Sequence, residues 1–195
     1  MVEKDSDDAT LVRRFQTGDG DCFSELVRRW DANVFALAFR IMGRAEDAEE
    51  VRQLTFLRVH RGLNQFQDEA RFSTWIYRIV VNLCRDALRS RASRERRERS
   101  TAMVRGLRLA VPPTDPDTAP SEVVQAVSEL SSDTRAIIVL RHFHNMPLVE
   151  IARILDLPAT TVRSRASTGL RQLAERLGHL APRLWGHQAE ANRGL

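Results

Sequence analysis

The apolar residues of this chain recur at helical spacing almost throughout. Phe23, Leu26, Val27, Trp30, Val34, Leu37, Ala38 and Ile41 step by three or four, which predicts a long amphipathic helix over 21–42 ended by Gly43. A shorter helix is predicted over 7–17, with Leu11, Val12 and Phe15 on its apolar side and Asp7 or Asp8 as its cap. Residues 45–62 predict the next. Glu46, Asp47, Glu49 and Glu50 crowd its first turns, where the helix dipole favours carboxylates, and Arg52, Arg58 and Arg61 lie towards its other end. Leu54 and Phe56 stand beside that acidic patch as apolar groups with an exposed look. The period is lost over 63–71, a polar loop, and returns over 72–100. There Ser73 is the expected cap, Trp75, Ile76, Ile79, Val80, Leu83 and Leu88 the core face, and Tyr77, Arg78, Asn82, Arg85 and Arg89 the remaining surface.

A stretch with four of the seven prolines, 109–120, has no period and reads as a linker. Two helices follow over 121–131 and 133–146, with Ser121 and Asp133 as expected caps. Ala126, Val127, Leu130, Ile137, Ile138, Leu140 and Phe143 should pack beneath the next segment. That segment, LVEIARILDLPATTVRSRASTGLR over 148–171, reads as a helix-turn-helix. Ile151, Ala152, Ile154 and Leu155 form the buried face of its first helix. Asp156 takes the turn position that needs positive φ, Pro158 opens the second helix, and Val162 plugs it back onto the first. Thr160, Thr161, Arg163, Ser164, Arg165, Ser167 and Thr168 face outward, and hydroxyls and arginines of this kind serve phosphates and base edges.

Composition sharpens this picture. With 195 residues and 43% hydrophobic side chains, the chain can build one medium or two small cores. It has no apolar run long enough to span a membrane and an acidic N-terminus unlike a signal peptide, which predicts a cytoplasmic protein. Cys22 and Cys84 are expected to be reduced and structural. The net charge of +4 is concentrated: residues 1–84 carry −2, residues 85–108 carry +6, and residues 109–195 carry zero. Such a basic block is a nucleic-acid footprint. No catalytic constellation, nucleotide loop or cofactor motif is present in the sequence. His142 and His144, two apart, point to different sides of a helix and make a poor metal pair.

Three segments together resemble the extracytoplasmic-function group of bacterial sigma factors. DAEEVRQLTFLRVHRGL resembles the part of sigma region 2 that docks on the clamp helices of the RNA polymerase β′ subunit. QFQDEARFSTWIYRIVVNLCRDALR resembles the part that opens and reads the −10 element, and LSSDTRAIIVLRHFHNMPLVEIARILDLPATTVRSR resembles region 4, which reads the −35 element. The resemblance implies an all-α fold of two helical domains joined by a flexible linker: 1–100 as region 2, 101–120 as a basic, proline-rich linker, 121–178 as region 4, and 179–195 as a tail. It implies no enzymatic activity and no cofactor. The implied partners are core RNA polymerase (β′ clamp helices and β subunit), promoter DNA and an anti-sigma factor.

By position, the resemblance assigns Asp47, Glu50, Gln53, Leu54 and Phe56 to polymerase. It assigns Asn64, Gln67, Asp68 and Glu69 to the loop that receives a flipped −10 base, with Trp75 beside it for stacking and Arg71, Arg78, Asn82 and Arg85 holding the nearby backbone. Thr160, Thr161, Arg163, Ser164, Arg165, Ser167 and Arg171 are assigned to the −35 major groove. Three departures stand out. Leu54 occupies a position usually acidic in the family, Asp68 one commonly glycine, and Ala166, Ser167, Thr168 and Gly169 a stretch often more basic. Two other classes of function fit the same residues less well. A stand-alone duplex-binding regulator does not explain the acidic patch, and a purely protein-binding helical adaptor does not explain the basic block.

Overall fold

The computed structural model describes residues 2–67, 71–105 and 121–178. Asp68 and Glu69, the proline-rich stretch and Trp185 lie outside the described residues. All regular structure among the described residues is helical: α1 (Val2–Gln16), α2 (Asp21–Met42), α3 (Ala45–Gly62), α4 (Phe72–Arg105), α5 (Ser121–Glu129), α6 (Ser132–Phe143), α7 (Leu148–Leu155) and α8 (Ala159–Leu177). A 3-10 turn, Leu63–Gln65, interrupts the expected polar loop because Leu63 is fully buried there.

The N-terminal bundle forms where four apolar stripes meet. Leu26, Trp30, Val34, Leu37 and Ile41 of α2 pack with Leu11 and Val12 of α1, Val51 and Val59 of α3, and Ile76 and Val80 of α4. The turn between α2 and α3 is made by Gly43 in the left-handed region (φ 74°), whose N–H donates to the Phe39 carbonyl at 2.8 Å. α1 begins earlier than expected, so Asp8 lies inside it and caps nothing. Its buried carboxylate accepts from Trp30 Nε1 at 2.8 Å and lies 3.5 Å from Arg29. Ser73, the expected cap of α4, is buried in the first turn of that helix.

In the C-terminal half, α6 is the central helix, buried without interruption from Thr134 to Leu140. Ala136, Ile137, Val139 and Leu140 join the core shared with α2 and α4, while Ile138 packs with Ala126, Leu130, Leu173 and Leu177 in a second cluster. A helix buried on every side must be covered on every side, and α6 is sandwiched between the N-terminal bundle on one side and α5 and α8 on the other. Ser131, not Asp133, caps α6, accepting from the Thr134 amide. Ser121 is the first helical residue of α5. Phe143 is not core: it is 55% exposed, and the Arg40 guanidinium lies 4.6 Å from the centre of its ring. Val127 is only half-buried.

The two helical groups are packed together. The sequence pattern gives no sign of this, because it assigns each apolar stripe to its own half. The helix-turn-helix has the predicted geometry: Ile151, Ala152, Ile154 and Leu155 are buried, Asp156 has φ 54°, and Val162 is fully buried.

Candidate nucleic-acid and polymerase interfaces

On α3, residues three or four apart line up: Asp47, Glu50, Gln53, Leu54 and Leu57 share one stripe. Leu54 is 38% and Leu57 45% exposed, the most accessible large apolar groups among the described side chains of the N-terminal bundle. Leu57 is not among the residues the sequence singles out; it stands one helical turn beyond Leu54. Phe56 lies at the edge of the stripe, half-buried against the bundle. Much of the acidic patch is internally matched. Glu49 is held below the usual carboxylate range by Arg52 and Gln53, Arg52 also binds Asp31, and Asp47 lies 3.3 Å from Arg91. Glu50 and Gln53 remain exposed beside the leucines. The face is thus an apolar pair rimmed by acid and amide.

The −10 candidates lie along α4. Trp75 packs against Phe66 (4.9 Å between ring centres) and Phe72 (5.8 Å), and Gly62 gives it room: a Cβ there would come within 3.0 Å of the indole. Asn64 and Gln67, on either side of Phe66 in the chain, are exposed. Tyr77 is a correction. Expected on the surface, it is 6% exposed, and its hydroxyl lies 3.0 Å from His144 Nδ1 across the two halves.

The arginines of this row face the C-terminal half. Arg71 Nη1 donates to Glu150 at 3.2 Å, Arg78 Nη2 to the Arg153 carbonyl at 2.6 Å, and Arg85 Nε to Asp133 at 2.8 Å. Asn82 is exposed between them.

On α8, Thr160, Arg163, Ser164, Ser167, Thr168 and Arg171 are exposed and Thr161 is half-buried. Arg165 does not face outward as expected: it binds the same Asp133 carboxylate that takes Arg85. Gly169 explains part of the non-basic stretch. A Cβ there would lie 2.5 Å from Thr134 Cγ2, so the position serves the crossing of α6 and α8, not DNA. Arg135 was also missed. It is buried, and donates to the Ile41 carbonyl at 2.6 Å and to the Leu130 carbonyl at 3.2 Å.

Among the described residues no group of histidine, cysteine and carboxylate side chains could hold a metal ion, and no helix is long and apolar enough to cross a membrane. Cys22 and Cys84 are free thiols, both buried; burial pushes Cys84 up to about 12, too high for a reactive thiolate.

Known proteins share this arrangement. Residues 26–94 match the family Sigma-70 region 2, and residues 121–173 match Sigma-70, region 4. The chain is 32% identical to the ECF RNA polymerase sigma-E factor of Haemophilus influenzae, covering 85% of this chain and 92% of that one. It is 31% identical to the ECF RNA polymerase sigma factor SigM of Mycobacterium tuberculosis, over 89% and 86%. It is 27% identical to the ECF RNA polymerase sigma factor SigW of Bacillus subtilis, over 87% and 96%. Among solved structures, CnrH in complex with the cytosolic domain of CnrY has the same fold with a TM-score of 0.63, at 24% identity over 88% of this chain and 97% of that one. The sigma factor RpoE of Bartonella quintana, in complex with the anti-sigma factor NepR, aligns with a TM-score of 0.60 at 20% identity, over 80% and 96%. With both sigma regions present in order and relatives above 30% identity across nearly their whole length, the chain belongs to the ECF RNA polymerase sigma factors.

Proposed function

We propose that this sigma factor binds core RNA polymerase through the α3 stripe and directs initiation by reading a −10 element with α4 and the loop before it, and a −35 element with α8. The observation that carries this reading is the order of two sigma regions along one chain, each presenting an exposed face of matching chemistry. Leu54 and Leu57, rimmed by Glu50 and Gln53, suit a basic coiled coil, and an aromatic edge at Phe56 adds an anchor. Arg163, Ser164, Ser167 and Arg171 are exposed on the second helix of a helix-turn-helix, the element that enters a major groove. Trp75, packed against Phe66 of the loop that carries Asn64 and Gln67, offers a flipped base a stacking surface, and the two amides offer edge partners.

The protein acts without catalysis of its own, in the cytoplasm where polymerase works. Control by an anti-sigma factor follows the precedent of RpoE with NepR, a partner that would compete for the same faces. Residues 1–100 form the polymerase and −10 unit, and residues 121–178 the −35 unit.

The test is co-elution of the full chain with bacterial core RNA polymerase, followed by transcription from genomic DNA fragments. A stoichiometric complex that starts RNA at particular sites is expected. Tight duplex binding by the chain alone, with no polymerase complex, would replace this reading with that of a stand-alone regulator.

A further inference from the structure

We propose that Gln16, the last residue of α1, is a positioning residue for the −10 loop, a role that rests on the assignment of that loop to the −10 element. Its amide holds the stem of the loop, residues 63–67, in the shape that accepts a flipped base.

The stem has little structure of its own. Its regular part is the single 3-10 turn Leu63–Gln65, after which Phe66 is extended (φ −66°, ψ 125°). So short a turn leaves carbonyls without partners in a following turn. One bond closes it from within: the Phe66 amide donates to the Leu63 carbonyl at 3.3 Å, longer than is usual. Gln16 adds two from outside. Its Nε2 donates to the Leu63 carbonyl and to the Phe66 carbonyl, each at 2.9 Å. A primary amide has two N–H donors, and each carbonyl takes one. A single side chain, 47 and 50 residues away in sequence, thus fixes both ends of the turn.

Those ends carry the site. Leu63 is fully buried in the core, and the Phe66 ring lies 4.9 Å from that of Trp75, between centres. Fixing the Phe66 carbonyl sets the ring that borders the stacking surface and the direction in which the chain enters Gln67. Gln16 is anchored in turn. Gly18, at φ 104°, leads the chain from α1 into α2. Arg14 forks onto Asp19 across this turn at 3.1 and 2.6 Å, and the Asp19 amide donates back to the Arg14 carbonyl at 3.1 Å. Gln16 is exposed, so water replaces its bonds when it is removed and the fold loses little. What is lost is a stem already shaped before DNA arrives, and ordering it on binding weakens the complex.

The test uses holoenzyme assembled from the full chain and core polymerase, on the promoter found by transcription from genomic fragments. The probes are single-stranded oligonucleotides of the non-template strand across the −10 element, intact or with one base removed at each position in turn. At the position of the flipped base, wild type should bind the abasic strand about tenfold more weakly than the intact one. Gln16→Leu should bind the intact strand about fivefold more weakly than wild type does, and the abasic strand equally well. It should co-elute with polymerase as wild type does. Gln16→Glu keeps the shape without N–H donors and should lose at least as much discrimination. Gln16→Arg keeps two donors and should recover most of it. The ratio of intact to abasic binding within each variant cancels any uniform effect of charge. Equal weakening of Q16L on both strands means a general structural effect and overturns the positioning role; so does wild-type discrimination in Q16L. Should Q16L fold poorly, Q16E against Q16R decides, and equal ratios in these two overturn it as well. If wild type binds every abasic strand as tightly as the intact one, the −10 loop assignment itself falls and takes the role of Gln16 with it.

Discussion

Arg135, near the start of α6, donates through Nη1 to the carbonyl of Ile41 in the last turn of α2, at 2.6 Å. The carbonyls at a helix C-terminus lack partners within the helix and carry partial negative charge, so a cation is the group that suits them. Arg135 also takes the carbonyls of Leu130 and Ser128. It thus fastens the turn before α6 to the N-terminal bundle, although burial pushes its guanidinium below the ordinary value. Arg135→Met should lower the free energy of unfolding by about 2–3 kcal/mol, because buried carbonyls lose a charged donor. Urea denaturation checks it, and a change under about 0.5 kcal/mol would mean water replaces the guanidinium.

Gly169 marks the point where α6 and α8 touch. Gly169→Ala places a methyl against Thr134 Cγ2 and should cost about 1–3 kcal/mol, despite the better helix propensity of alanine. Thr134→Ser removes that methyl yet keeps the hydroxyl, which bonds Ser131 at 2.9 Å. Thermal melts of G169A alone and with T134S should therefore show the second change recovering most of the loss.

The stripe on α3 separates binding from stability. L54E/L57E should weaken the complex with core polymerase at least tenfold while leaving the unfolding free energy within about 0.5 kcal/mol, since both leucines are exposed. Phe56→Ala should weaken the same complex and also cost about 1–2 kcal/mol of stability, as the ring is half-buried against the bundle. Co-elution with polymerase alongside urea denaturation distinguishes them. Unimpaired binding by L54E/L57E would show that this stripe is not the docking face.

His144 gives the contact between halves a pH dependence. Burial, with Arg40 nearby, pushes it down to about 4, against an ordinary value near 6.5. The unfolded chain then binds the proton more readily than the folded chain between those values. Stability is full above pH 6.5 and falls as the pH drops towards 4. His142 is shifted the same way by burial. Glu25, held at about 2 by Arg28 and Arg29, acts in a separate window: its contribution is present above about 4.5 and lost towards 2. Denaturation midpoints should fall between pH 7 and pH 5 in the wild type and fall less in His144→Gln. Equal slopes would remove His144 from the account.

Arg163 is exposed on α8 with no α6 carboxylate against it, unlike Arg165. Arg163→Ala should reduce transcription that depends on the −35 element about 5- to 150-fold, the equivalent of a lost base contact of 1–3 kcal/mol. Binding of polymerase should not change. Run-off transcription with co-elution tests this, and equal loss of both would end the division of labour between α3 and α8.

The sequence by itself determined the helices, because a 3.6-residue period of apolar groups can bury its stripe in only one way. It determined the turn at Asp156, where few residues tolerate positive φ, and the plug at Val162. Its motifs also carried the family, since the two sigma regions are written in contiguous segments. The tertiary structure decided which polar groups face one another. Asp133 reads as a helix cap but joins Arg85 and Arg165, from positions 48 and 32 residues away. Tyr77 reads as surface but lies buried against His144, and Gly169 reads as a gap in a basic row but is a crossing point. Such pairings depend on how two helical groups dock. Periodicity along one helix says which side is apolar, and nothing about which neighbour will cover it.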